Sequence, residues 1–466
     1  MRWSRRFFLP FATLLLPIHL AAQAYEGPFR IGGVVVTGNK VTRDRVILRE
    51  LTVQEGDTLN TQELQAALAR SRENLLNTGL FNTVTVLPVF LGPQEAFVQV
   101  EVNERWYLWP SPIFELADPN FNVWWETKDF DRVNYGLYLY RYNFRGMNET
   151  VYLKAQLGYA QQYGVKYKVP FLSRDGRWGL SVGGGYYQQN EITVATEDNE
   201  RIFYRPPEGN ARTEWNAETE LTFRRTHDVR HAFRLAYRSA TVVPEVALGW
   251  PDHFNDGAPS ISYLSIGYTF LRDRRDTRIF TTAGSYAELK VDRFGLGLLD
   301  EHAPENTVIY GTVKKWWHPA ERWIASLGLR GRTTLGPPPP YFIQEGLGYS
   351  HYVRGYEYYV IDGQHFVLGR ANVFFALVKP LTRRVGFMPM EAFRTLHLAL
   401  YLNAFADMGY VWDDRYAAQN PLSNAWLNGQ GLGLDLVTSY DQVVRGEYSL
   451  NARGEHGFFL HFTQPF

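Results

Sequence analysis

Two stretches of the chain, VYLKAQLGYA at residues 151–160 and HAFRLAYRSA at residues 231–240, decide the fold class. In the first stretch, apolar side chains such as Leu153 and Leu157 alternate along the chain with polar side chains such as Lys154. The second stretch alternates in the same way. A period of two is typical of a β-strand that has one apolar face and one polar face.

The same alternation recurs through residues 105–466, and the connections between strands alternate in length. Short turns opposite long loops are typical of an outer-membrane barrel, whose apolar face meets lipid while its polar face lines the lumen. We therefore predict a mostly β protein with a 16-stranded antiparallel transmembrane β-barrel. The candidate strands lie near residues 106, 134, 149, 163, 177, 213, 231, 260, 280, 304, 321, 365, 394, 428, 443 and 457. The predicted long, external loops lie at about 190–212, 244–259, 335–364 and 409–427.

The composition agrees with this interpretation and excludes several classes of protein. Aromatic residues make up 15% of the chain, the mean hydropathy is −0.29, and cysteine is absent. The low hydropathy argues against a helical membrane protein, and the missing cysteines exclude disulfides and thiolate sites. Lys plus Arg and Asp plus Glu both number 48, so no nucleic-acid partner is expected.

The first residues, MRWSRRFFLPFATLLLPIHLAAQA, have the pattern of a signal peptide at 1–24. Three arginines precede an apolar run, and Ala22-Gln23-Ala24 is a small-x-small cleavage site. The run is short for a membrane span, and two prolines interrupt it. We therefore expect export, with the mature chain beginning near Tyr25.

Residues 28–104 predict a small α+β module of the order β-α-α-β-β. A β-branched run, FRIGGVVVTGN, precedes two segments of helical periodicity, and Asn60 with Glu63 forms the N-terminal signature of the second. Two alternating runs follow, FNTVTVLPVF at Phe81 to Phe90 and EAFVQVEVNE at Glu95 to Glu104.

This module resembles a POTRA domain, because "VTGN", "EGD", "NTGLFNTVTV" and "VQVEVNE" occur in the order typical of that family. With the barrel, the chain resembles the BamA/TamA-like outer-membrane assembly factors. The resemblance implies a cell outer-membrane location with the POTRA domain in the periplasm. It also implies unfolded outer-membrane proteins as clients, outer-membrane lipid around the barrel, and possible periplasmic or lipoprotein accessory subunits. POTRA modules are reported to bind client chains by strand addition at a sheet edge.

The longest irregular stretch, GPPPPYFIQEGLGYSHYVRGYEYYVIDGQ, lies between predicted strands eleven and twelve. Within it, Val353, Arg354, Gly355 and Tyr356 match the "VRG(F/Y)" motif of the superfamily, whose sixth external loop folds into the lumen. A loop of this length needs a reason to be ordered. Docking inside the barrel supplies that reason.

The partner of Arg354 is expected on the next strand but one, HLALYLNAFADMGYVWD. Its leucines form the lipid face, so the motif "FxDxG", formed here by Phe405, Asp407 and Gly409, points inward. A buried arginine needs a partner, and a bidentate carboxylate fits it. The related insertases often carry a second carboxylate where this chain has Ala376, so we expect Asp407 to hold Arg354 alone.

The chain ends in GFFLHFTQPF, which resembles the C-terminal sorting signal of outer-membrane barrels. Its apolar face comprises Phe458, Leu460, Phe462 and Phe466. Pro465, the residue before the last, lacks an amide hydrogen and would remove one bond at the seam between the first and last strands.

No enzyme motif stands in a suitable context: there is no GxSxG, HExxH or Walker loop. We expect no enzymatic activity, no cofactor and no metal site. Three functions remain open: an insertase, a translocation pore of the two-partner-secretion type, and a structural barrel subunit of a surface complex. Pores of that type usually carry two POTRA modules and a plug helix.

Overall fold

The computed structural model describes residues 27–92, 94–116, 130, 133–173, 175–278, 280–386, 394–438 and 442–463. The predicted signal peptide at 1–24, Pro465 and Phe466 lie outside the described residues. So does the predicted cleavage site.

The N-terminal unit is a four-stranded sheet covered by two helices. Its strands have the order β2-β1-β4-β3, with β1 and β4 parallel and the other neighbours antiparallel. A two-residue strand, absent from the predicted order, joins the two helices. The elements are β1 (Phe29–Thr37), α1 (Asp44–Leu48), β2 (Thr58–Leu59), α2 (Thr61–Asn77), β3 (Phe81–Phe90) and β4 (Glu95–Glu104).

The predicted start of α2 is confirmed. The Asn60 side chain accepts a hydrogen bond from the Glu63 amide at 2.9 Å, and the Glu63 carboxylate accepts one from the Asn60 amide at 3.0 Å. This capping box satisfies two amide groups that a helix start would leave unpaired. The apolar face of α2, which includes Leu64, Leu68 and Leu75, is buried against the sheet.

Sixteen further strands of the described chain form one antiparallel sheet, which confirms the predicted fold class and strand number. Each predicted strand corresponds to one strand of this sheet, paired in sequence order from the first to the last. The strands are β5 (Leu108–Leu116), β6 (Val133–Phe144), β7 (Glu149–Gly158), β8 (Ala160–Val169), β9 (Trp178–Gln189), β12 (Arg212–Arg224), β13 (Val229–Val242), β14 (Ser260–Asp273), β15 (Gly284–Phe294), β16 (Thr307–Ala320), β17 (Trp323–Leu335), β18 (His365–Arg384), β19 (Thr395–Trp412), β20 (Trp426–Thr438), β21 (Val443–Asn451) and β22 (His456–Thr463).

Strand β19 shows how the period of two separates lipid from lumen. Leu402 and Met408 are exposed on one face, whereas Asn403, Phe405 and Asp407 are buried on the other. The inward direction predicted from the leucines is therefore correct. In the part of the chain that the structure describes, no helix has the length and apolar character of a membrane span.

The long connections lie at one end of the barrel and contain short elements of their own. The hairpin β10 (Ile192–Glu197) and β11 (Glu200–Tyr204) lies between β9 and β12, and helix α3 (Pro244–Gly249) lies between β13 and β14. The predicted loop at 409–427 is shorter than expected, because β19 continues to Trp412 and β20 begins at Trp426.

The N-terminal unit packs against the short turns at the other end. The Arg224 guanidinium donates to both carboxylate oxygens of Glu50, at 2.5 and 2.6 Å, and the Glu50 side chain is only 5% exposed. His227 contacts the Arg49 carbonyl at 2.9 Å. Further along, the Asn77 amide donates to the Asp276 carbonyl at 3.2 Å. The unit is thus attached to two separate turns of the barrel.

We expect Arg224→Gln to loosen this attachment, because it leaves the buried Glu50 carboxylate without its charged partner. Spin labels on introduced cysteines at Gln94 and Asp175 would report the distance between unit and barrel; the natural chain has no cysteine. The distance distribution should broaden in the variant. Arg225→Gln, one residue further along at an exposed position, is the matched control and should leave it unchanged. Equal distributions in the natural chain and Arg224→Gln would contradict the attachment.

Candidate functional site in the barrel lumen

The long connection between β17 and β18, residues 336–364, is called here loop 6. Its residues Leu347, Val353 and Tyr356 are buried in one apolar cluster with side chains of β18 and β19, including Phe366 and Val411. The loop therefore lies against the inner wall of the barrel. Its packing places Arg354 among the inward side chains of three strands.

Arg354 and Asp407 form a bidentate pair. The Arg354 Nε donates to Asp407 Oδ2 at 2.8 Å, and Nη2 donates to Oδ1 at 2.6 Å. The Arg354 backbone amide adds a third bond to Oδ2 at 3.2 Å. The side chains are 3% and 0% exposed, respectively. Charge-assisted bidentate pairs fix both distance and orientation.

The expectation that Asp407 would hold Arg354 alone is wrong. Arg354 Nη1 donates to Glu447 Oε1 of β21 at 3.1 Å, and Nη2 donates to Asn372 Oδ1 of β18 at 2.9 Å. The Arg354 guanidinium carbon also lies 3.7 Å above the centre of the Phe405 ring, a cation–π contact. The second carboxylate thus comes from a different strand than the family pattern suggests, since Ala376 is packed in a separate apolar cluster.

The charges around this pair are balanced. Arg370 Nε lies 3.4 Å from Asp407 Oδ2, and Arg445 donates to both carboxylate oxygens of Asp435 at 2.7 and 2.8 Å. The Glu447 Oε2 atom also lies 3.5 Å from His461 Nε2 of β22. Three arginines therefore face three carboxylates. Each buried charge has an opposite charge nearby, which desolvated ions require.

Glycines make the close approach of loop 6 possible. Gly355 has φ +92°, a backbone conformation that favours glycine, and its carbonyl accepts a bond from Asn451 at 2.8 Å. A Cβ on Gly409 would lie 2.6 Å from Val353 Cγ2. On β20, a Cβ on Gly429 would collide with the Arg354 carbonyl. The motif glycines are therefore explained by space as well as by backbone angle.

The structure brings together the predicted residues of loop 6 and β19, but the C-terminal ones lie elsewhere. Phe458 and Leu460 are 69% and 55% exposed on the outer face of β22. The Phe462 side chain and Phe466 lie outside the described part of the chain. Within the described residues, no group of three or more His, Asp or Glu side chains is arranged to hold a metal ion.

Sequence reasoning missed Glu447, Asn372, Arg370 and the glycines of β20. A signal existed for Glu447, because Arg445 and Glu447 both stand opposite the exposed Tyr448 in an alternating strand. Two charged residues on one face of a strand at the end of a barrel indicate a lumen position. Which loop residue they meet depends on contacts across the lumen, which no local pattern encodes.

Comparison with known families gives two matches along the chain. A profile for POTRA, described as "Surface antigen variable number repeat", matches residues 29–105. A profile for the Omp85 superfamily domain matches residues 143–440. No curated protein sequence matches this chain significantly.

Solved structures with a similar fold cover almost the whole chain. BamA from Haemophilus ducreyi lacking POTRA domains 1–3 is 14% identical, with a TM-score of 0.53 over 93% of this chain and 84% of that chain. CdiB from Escherichia coli is 13% identical, with a TM-score of 0.54 over 93% and 76%. CdiB from Acinetobacter baumannii is 12% identical, with a TM-score of 0.50 over 93% and 73%. At such identities the likeness concerns the fold alone.

A double-mutant cycle tests the coupling of Arg354 and Asp407. Removing one partner of a buried pair costs about 3–5 kcal/mol. Arg354→Ala and Asp407→Ala should therefore each expose loop 6 to protease on intact cells, and the double variant should be little worse than either single one. The exposed pair of Lys379 and Glu321 is the control and should show almost no effect. Single effects that simply add would show that the two residues do not interact.

Loop 6 should also be held more tightly in acid than in base. Burial raises the pKa of the Glu357 carboxyl from 4.5 to about 7, and burial raises the pKa of Asp362 from 3.8 to about 6. The docked loop therefore binds protons that the released loop gives up. The resulting stabilisation is complete below about pH 4 and is lost as pH rises through about 6 to 7.

A spin label on a cysteine introduced at the exposed Tyr358 would report loop mobility between pH 5 and pH 8. Mobility should increase with pH, and Glu357→Gln should remove the upper part of that increase. Loop mobility that stays constant or falls as pH rises would contradict the predicted proton binding by the docked loop.

Proposed function

The chain belongs to the Omp85 superfamily, and from that premise we propose that it is an outer-membrane assembly factor. In this proposal the POTRA module captures unfolded outer-membrane proteins in the periplasm, and the barrel inserts them at its seam. We further propose the division into a signal peptide at 1–24, a POTRA domain at 28–104 and a barrel at 105–466. Loop 6, held through Arg354, would keep the lumen closed while the seam works.

The observation that supports the insertion step is the composition of the first barrel strand. Strand β5 contains Pro110 and Pro112, which are paired with Leu139 and Leu137 of β6. Proline has no N–H, and within sheets it stands where that group would face away from the ladder. Pro110 and Pro112 are two residues apart, so their nitrogen atoms face the same edge of the strand. The seam edge of β5 therefore lacks two hydrogen-bond donors.

The pairing of the described residues agrees with a weak seam. The ladders run from β5 to β22 through every intermediate strand, and the described parts of the chain include none between β5 and β22 themselves. An unpaired strand edge is a template for another strand. A client strand that pairs there would gain backbone hydrogen bonds with little demand on its sequence.

The POTRA sheet offers a second edge for the capture step. Strand β3 pairs only with β4 in the described sheet, and Leu87, Val89 and Phe90 of β3 are exposed. Exposed apolar side chains beside an open edge suit an extended, partly apolar segment. Attachment through Glu50 and Arg224 keeps this edge near the periplasmic end of the barrel.

A translocation pore would make a different demand on loop 6, because a pore must clear its lumen. Arg354 with its two carboxylates opposes release of the loop, whereas insertion at the seam leaves the loop in place. This difference favours the assembly factor over the pore. A structural subunit would need neither an open edge nor a weak seam.

Depletion of the protein followed by quantitative outer-membrane proteomics tests the proposal. We expect many barrel proteins to decrease in the outer membrane. A normal barrel content with one secreted protein retained in the periplasm would indicate the pore instead. Normal levels of both would indicate a structural subunit.

A pair of variants tests the capture step separately. Leu87→Lys places a charge beside the edge of β3 and should reduce complementation of the depleted strain. Gln99→Lys places the same charge at an exposed position on the central strand β4, opposite Leu87, and is the control. Equal complementation by both variants would contradict capture at this edge.

A further inference from the structure

Four tyrosines line the lumen beside the seam. Tyr138, Tyr140 and Tyr142 follow one another on the inner face of β6, and Tyr152 stands beside them on β7; together they are called here the tyrosine ladder. Along β6 the ring centres are 6.3 and 5.7 Å apart. The Tyr152 ring centre lies 4.9 Å from that of Tyr140. The four rings thus form one continuous aromatic surface.

The inward direction of the ladder follows from its neighbours. Tyr135 and Leu137, which alternate with ladder residues on β6, are 54% and 43% exposed on the lipid face. Tyr138 is in register with Lys154 of β7, whose ammonium lies 4.8 Å above the Tyr138 ring. A cationic side chain within the sheet marks the lumen face.

A shallow trough lies next to the ladder because two glycines follow in the same register. Lys154 is paired with Gly164 of β8, and Gly164 is paired with Gly185 of β9. A Cβ on Gly164 would meet Tyr152 and Lys154 only at 3.8 Å, which is ordinary contact. The inner wall beside the tyrosines therefore carries no side chain at these two positions.

Other parts of the described lumen wall carry ion pairs. On β13, Arg238 pairs with Glu214 at 2.7 Å and Arg234 pairs with Asp292 at 2.6 Å. Arg354 of loop 6 donates hydrogen bonds to inward side chains of β18, β19 and β21. The tyrosine ladder thus lies on the side of the lumen that adjoins β5, and these ion pairs lie on other strands.

We propose that the tyrosine ladder binds an extended polypeptide segment of a client on its way from the POTRA module to the seam. Side chains on one face of an extended strand repeat at about 6.6–6.8 Å. The ring spacing along β6 is close to that repeat, so alternate apolar or aromatic side chains of a strand can each meet one tyrosine. Aromatic pairs in edge-to-face or offset geometry add to the stabilisation from buried area.

The position of the ladder supports this occupant. At its lower end Tyr142 packs against the core of the POTRA module, and its amide donates to the Tyr107 carbonyl at 2.8 Å. At its side, β5 is the neighbouring strand. The ladder therefore joins the two surfaces that the proposed function uses. The identity of the client as an outer-membrane strand rests on that function.

Photo-cross-linking in cells tests the proposal. A photoreactive phenylalanine analogue replaces Tyr140 in one strain and the exposed Leu87 of the POTRA edge in another. We expect both positions to cross-link to newly made outer-membrane proteins. Gly164→Leu fills the trough and should reduce the yield from position 140 at least several-fold, without changing the yield from position 87.

Gly328→Leu is the matched control. Gly328 is in register with Lys314 of β16 and Arg370 of β18, and its added Cβ would come nearest to the flexible Lys314 side chain, at 3.4 Å. This variant should leave both yields unchanged. Heat-dependent migration on a mild detergent gel confirms that each variant is folded. Where Gly164→Leu does not fold, Tyr152→Thr, which removes one ring, replaces it with the same expectation.

The outcomes separate the ladder from the proposed function. Cross-links from position 87 without any from position 140 would overturn the ladder and leave the assembly function standing. Cross-links from neither position would overturn both. Products from position 140 that stain as carbohydrate would assign the ladder to a glycan and overturn a polypeptide occupant. If Gly164→Leu does not lower the cross-link yield from position 140, the proposed binding at the tyrosine ladder is also overturned.

Discussion

A guanidinium buried inside the barrel must be neutralised where it lies, and this requirement on Arg354 organises much of the lumen. The Arg354 guanidinium donates to the carboxylates of Asp407 on β19 and Glu447 on β21, and to the amide oxygen of Asn372 on β18. Loop 6 thereby joins strands that have no pairing with one another, such as β18 and β21. The glycines of β19 and β20 are then required, because any side chain there would occupy the space of the loop.

The last hairpin of the barrel depends on the same loop. Strand β22 has a ladder on one side only among the described residues. From the lumen, the Tyr352 ring of loop 6 stacks on His461 with centres 5.8 Å apart, and the Tyr358 ring lies 5.5 Å from Phe459. Loop 6 therefore supports the inner face of the last strand. The docking of loop 6 and the position of this strand are thus physically linked.

At the other end of the barrel, the POTRA module is fixed rather than merely tethered. A buried carboxylate pairs with a turn arginine, and side-chain and backbone bonds join a second turn. Two attachments at separate turns restrict rotation as well as distance. The open edge of β3, the aromatic lower end of β6 and the first barrel strand consequently keep a defined relation to one another.

The sequence by itself determined the strand number, the two faces of strands such as β7, β13 and β19, the capping box of α2 and the inward direction of Asp407. These features depend on local periodicity and on side-chain chemistry within a few residues. Only the tertiary structure decided that Glu447 shares Arg354, that Gly429 admits the loop, and that Glu50 meets Arg224. Those contacts join residues far apart in the chain, on elements that meet only once the sheet curves around the lumen. No local pattern records which inward side chains will then stand opposite one another.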